Sequence, residues 1–115
     1  MEITVKAVAA MIDHTNLKAF ATRADFEKLC AEAREYGFKS VAINTYPVKL
    51  CRGLLEGSEV LTGAAISFPL GQATIDTKVM EAENAVADGS ELSDLGGMQK
   101  SASWSAINSR NSHLP

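Results

Sequence analysis

Residues 58–72, SEVLTGAAISFPLGQ, decide the fold. Within them, residues 60–66 form an almost unbroken run of apolar and small side chains. The run is too short to cross a membrane, and it lacks the polar alternation of a strand with one wet face. It predicts a strand buried on both faces, as in a parallel sheet. The run ends at Ser67, and Phe68-Pro69-Leu70-Gly71 follows, where Pro69 and Gly71 break the strand and turn the chain. A helix is expected from near Thr74, with Ile75, Val79, Ala82 and Val86 as its apolar stripe and Gly89 at its end. The unit is strand, loop, helix, with a polar group at the strand's C-terminal end, where α/β proteins build their sites.

The same unit repeats upstream. Thr22 and Asp25 make a capping-box pair that opens a helix, with a carboxylate in its first turn. Phe26, Leu29, Cys30 and Ala33 follow at the spacing of a buried stripe, and Gly37 supplies a left-handed cap. Residues 40–43 read as a short buried strand closed by Asn44. Pro47 suits the first turn of the next helix, whose stripe is Val48, Cys51, Leu54 and Leu55, with Gly57 at its end. Near the N-terminus Val5, Val8, Met11 and Ile12 can share a helical face, with a very short strand expected at Met11 and Ile12. Helices alternating with buried strands imply right-handed crossovers and a parallel sheet.

The rhythm then fails. A fourth strand is due after Gly89, but Ser93-Asp94-Leu95-Gly96-Gly97 offers little to bury and carries two glycines. Beyond it the chain is rich in serine and asparagine, and a loosely ordered or weakly helical tail is expected. Residues 1–91 therefore read as the organised part and residues 92–115 as a divergent tail.

At 115 residues there is room for one core. A net charge of −3 argues against general nucleic-acid binding, which needs a basic patch. No apolar run reaches membrane length and no secretory signal pattern opens the chain, so the expected setting is the cytoplasm, with no membrane partner. Cys30 and Cys51 both fall on apolar stripes and read as small core residues. His14 stands beside Asp13, but strand neighbours point to opposite faces and no second histidine lies at ligand spacing, so no metal site is expected. Three apolar runs end in polar side chains, Asp13, Asn44 and Ser67, which would converge on one edge of a parallel sheet. The lysines at 18, 28, 39, 49 and 78 read as solvated, in loops or on polar faces, with none in the desolvated setting that activates an amine.

Ile12-Asp13-His14-Thr15-Asn16-Leu17-Lys18, Leu29-Cys30-Ala31-Glu32-Ala33, Ser40-Val41-Ala42-Ile43-Asn44 and Ile66-Ser67-Phe68-Pro69-Leu70-Gly71 together resemble the deoxyribose-phosphate aldolase family, in order and spacing. The resemblance implies a (β/α)8 barrel, of which this chain carries about three βα units, with parallel strands and an irregular C-terminal tail. It implies a class I aldolase that works without metal or cofactor. Such an enzyme cleaves 2-deoxy-D-ribose 5-phosphate to glyceraldehyde 3-phosphate and acetaldehyde through a Schiff base, in deoxyribonucleotide catabolism. Carried over by position, Asp13, Thr15, Asn44, Ser67 and Phe68 are substrate-binding candidates. Asp94 stands where the family's proton-transfer aspartate does, although Leu92 and Ser93 replace the Glu-Ile that should precede it.

A complete barrel of this kind runs to about 250 residues. The family's catalytic lysines and phosphate site lie beyond the stretch that matches, so a truncated form, inactive alone, is expected. The alternative is a noncatalytic half barrel that self-associates through exposed strand edges or docks on a full-length aldolase. A small phosphorylated sugar or aldehyde is the partner that the resemblance implies.

Overall fold

The expected strand forms as β3 (Leu61–Ile66), all but its first residue buried, inside a four-stranded parallel sheet. The structure, a computed structural model, describes residues 3–96. Their order is α1 (Val5–Ala9), β1 (Asp13–Asn16), α2 (Arg23–Tyr36), β2 (Ser40–Ile43), α3 (Val48–Leu54), β3, α4 (Ile75–Ala87) and β4 (Leu92–Leu95). Spatial order follows chain order, β1-β2-β3-β4, each strand parallel to the last. This is an α/β fold built as a run of consecutive βα units.

Local sequence explains the elements well at their ends. Thr22 accepts from the Asp25 amide, and the Asp25 carboxylate accepts from the Thr22 amide at 2.8 Å, completing the reciprocal box that starts α2. These hydrogen bonds, from the Thr22 backbone first and its hydroxyl second, hold the Asp25 carboxyl below the usual carboxylate range. Gly37 ends the helix in the left-handed conformation. Thr74 caps α4 by accepting from the Thr77 amide.

Helices and sheet share one core. Phe26, Leu29, Cys30 and Ala33 of α2 meet Val41 and Ile43 of β2, Val48 and Cys51 of α3, Ala64 and Ile66 of β3, and Val79, Ala82 and Ala85 of α4. Cys30 and Cys51 are both buried free thiols. Their hydrogen bond lowers the Cys30 thiol and, with burial, pushes Cys51 far above the ordinary range.

Four expectations change. The first strand begins at Asp13 instead of Met11, because β1 pairs with β2 from Asp13↔Ser40 onward and the peptides of Met11 and Ile12 close turns on Val8 and Ala9. The apolar face expected at the N-terminus is exposed, with Val5 of α1 at 88% and Met11, just past the helix, at 66%. In α4 the buried stripe is Lys78, Val79, Ala82 and Ala85, while Ile75 and Val86 lie exposed. Lys78, expected on a polar face, is buried as a whole at 1% exposure.

The fourth strand is the last of these. Residues 92–95 pair with β3 in parallel register, and Leu95 is buried. The following glycine, which counted against a strand, is what lets β4 close in: a Cβ on Gly96 would lie 2.6 Å from the Ser67 carbonyl and 3.1 Å from the Phe68 Cα. The expected irregular tail from residue 97 onward lies outside the described residues.

Candidate active-site cleft on the open face of the sheet

Strand alternation sorts the side chains into two sets. One set enters the core beneath the helices. The other points to the opposite face and lines a cleft of about 370 Å³. Asp13 and Thr15 come from β1, Ser40 and Ala42 from β2, Gly63 and Ala65 from β3, and Leu92 and Asp94 from β4. Register explains the match, since Thr15, Ala42, Gly63 and Leu92 are successive lateral partners. Small side chains at Ala42, Gly63 and Ala65 leave the volume open.

Polar groups concentrate on the two flanks of this cleft. On one, the Ser40 hydroxyl donates to Asp13 Oδ1 at 2.6 Å, fixing that carboxylate against the inner face. The Thr15 hydroxyl donates to the Asp13 carbonyl at 2.8 Å. Asp94 stands on the other flank, lateral to Ala65. Phe68, half-exposed, lines the cleft from the β3–α4 loop. Two carboxylates, hydroxyls and a ring suit a polyol or small carbonyl compound, which they can hydrogen-bond and cover. No lysine or arginine lines the cleft among the described residues, so its wall offers no side-chain cation to a phosphate.

The candidates named from sequence therefore separate. Asp13, Thr15, Phe68 and Asp94 share the cleft. Asn44 and Ser67 are not among its lining residues. The Asn44 amide donates to the Leu17 carbonyl at 3.3 Å, and the Ser67 backbone amide donates to Glu81 Oε1 at 2.6 Å. The expected convergence of Asp13, Asn44 and Ser67 on one edge does not occur. Asp13 is level with Ser40, the first residue of β2, and so lies four residues, roughly 13 Å along the strand, before the level of Asn44.

His14 points away from Asp13, as alternation requires. Its ring packs 4.9 Å from that of Phe38, and Nε2 lies 3.3 Å from Glu32 on α2. Sequence reasoning missed Ser40, which orients Asp13, and Glu81, which holds two loops. Ser40 was legible in principle, because it is a strand residue two before another inward position, Ala42. Lys78 was expected among solvated lysines but is buried at 1% exposure; it sits on α4 and does not line the cleft.

No protein-family model matches the chain. Curated relatives do. A deoxyribose-phosphate aldolase of Lactobacillus acidophilus is 50% identical over 94 residues, covering 82% of this chain and 40% of the relative. Another, from Bacteroides thetaiotaomicron, is 55% identical over 87 residues, 76% of this chain and 37% of the relative. Among solved structures, the tetrameric deoxyribose phosphate aldolase of Aeropyrum pernix superposes with a TM-score of 0.82 at 28% identity, over 95% of this chain and 48% of that one. The chain thus spans about 40% of the length of the curated relatives that it matches.

Proposed function

Because the chain is homologous to the deoxyribose-phosphate aldolases over about four fifths of its length, we propose that its inner sheet face is the substrate-facing wall of such an aldolase, acting on 2-deoxy-D-ribose 5-phosphate. The grouping of Asp13, Thr15, Phe68 and Asp94 around one cleft carries this reading. Asp13 and Thr15 hydrogen-bond the sugar's hydroxyls, and Phe68 covers its carbon chain. Asp94 relays protons at the carbon that is cleaved. The Schiff base then forms on a lysine in the part of such an aldolase that this chain does not span, since none of the described lysines lines the cleft. The phosphate binds elsewhere for the same reason.

Alone, this 115-residue chain then has negligible aldol-cleavage activity, since covalent catalysis supplies many orders of magnitude in such reactions. A cytoplasmic setting goes with this reading, since a phosphorylated sugar is too polar to cross a membrane unaided. Borohydride trapping with the sugar phosphate, read by intact-mass and peptide mass spectrometry, tests the assignment. The expected result is no reduced adduct on any of the chain's lysines. A stoichiometric adduct on any of them, and on buried Lys78 above all, overturns it.

A second reading has one observation in its favour. Among the described residues β1 and β4 each pair on one side only, leaving two strand edges open. A noncatalytic half barrel would use them to self-associate or to dock on a full-length aldolase. Light scattering separates the two: a concentration-independent monomer contradicts self-association.

A further inference from the structure

Glu81 reaches from α4 to two loops at once. Its Oε2 accepts from the Thr45 hydroxyl at 2.9 Å, in the β2–α3 loop. Its Oε1 accepts from the Ser67 amide at 2.6 Å, in the β3–α4 loop. Ser67 is the one non-glycine residue with positive φ among the described residues, at 50°. That conformation is unfavourable for a side chain with a Cβ, and persists only where the surroundings hold it. A charge-assisted hydrogen bond to its amide is such a hold.

The consequences run into the cleft. Phe68, the next residue, lines it. The loop is also closed by the Gly71 amide on the Ser67 carbonyl at 2.8 Å, and backed by the Gly96 amide on the Ile66 carbonyl at 3.0 Å. Neither of those bonds engages the Ser67 amide. On the other side, Thr45 follows Asn44, whose amide donates to the carbonyl of Leu17, a second cleft residue. Both oxygens of one carboxylate are thus spent on the two loops that follow β2 and β3, one of which lines the cleft through Phe68.

We propose that Glu81 is a positioning residue: it holds Ser67 in its left-handed conformation and so sets Phe68, and through Thr45 and Asn44 also Leu17, against the bound substrate. It touches no substrate itself. The role of these contacts in binding rests on the reading of the cleft given above; the clamp itself does not.

Backbone amide exchange by NMR, with a titration of 2-deoxyribose 5-phosphate on the same samples, tests both parts. In Glu81→Ala, exchange at Ser67 should accelerate roughly tenfold or more, as loss of a hydrogen bond to a charged group implies, while Val41 and Ile43 in the core keep their rates. Glu81→Gln retains one acceptor oxygen and should fall between. It also serves as the test variant where the alanine chain fails to fold. The sugar phosphate should bind several-fold more weakly to either variant, with the loss centred on shifts at Phe68 and Leu17. Unchanged Ser67 exchange, or acceleration spread evenly through β2 and β3, overturns the clamp. Unchanged affinity alongside faster Ser67 exchange overturns its role in binding. In a chain that shows no shifts with the sugar phosphate, the reading of the cleft falls, and Ser67 exchange still decides the clamp.

Discussion

Gly96 packs against the β3–α4 loop so closely that any side chain there must push the loop away. Gly96→Ala should therefore displace Ser67 and Phe68 and destabilise the fold by about 1–3 kcal/mol, as over-packing does, measured by urea unfolding. Asp25 carries a different kind of prediction. Its folded pKa lies below the unfolded value, so its contribution is fully present above about pH 4, the ordinary aspartate range, and is lost as pH falls through the folded value. Asp25→Asn should flatten that part of the acid-unfolding curve followed by circular dichroism, leaving stability at pH 7 lower. A curve that keeps its slope contradicts the assignment. The cap was legible because its two residues are local in sequence. The close approach at Gly96 was not, because it depends on where a loop almost thirty residues earlier comes to lie.

At the level of elements, α4 shows what periodicity misses. Apolar residues at 75, 79, 82 and 86 suggested one face, whereas the sheet takes 78, 79, 82 and 85. The phase is set by what fits: the small side chains of Ala82 and Ala85 let the helix approach. Ala85→Leu should accordingly cost about 1–3 kcal/mol, while Val86→Ala, on the exposed side, should fall within about 0.5 kcal/mol of neutral. Equal effects at the two positions, by denaturant titration, would restore the original stripe. α2 was read correctly because it has no competing register: its residues at 26, 29, 30 and 33 are buried as spaced. β4 was undervalued for the opposite reason, since a four-residue strand with one buried leucine has almost no pattern of its own and is made by pairing with β3.

Across the whole molecule, parallel βα repetition was legible from runs at 40–43 and 60–66. The register was not. Asp13 was assigned to a strand end when it begins β1, so the cleft that it lines runs along the face of the sheet. The two strand edges left open among the described residues, with the exposed apolar residues of α1, predict association at raised concentration, which light scattering should register as a mass above that of one chain. The central claim is that this inner face meets the sugar. A chemical-shift titration of the chain with millimolar 2-deoxyribose 5-phosphate addresses it directly. The account predicts shifts at the amides of Asp13, Thr15, Gly63, Ala65, Phe68 and Asp94, with the helix-facing residues Val41 and Ile43 still; shifts confined to the helical side, or none at all, would contradict it.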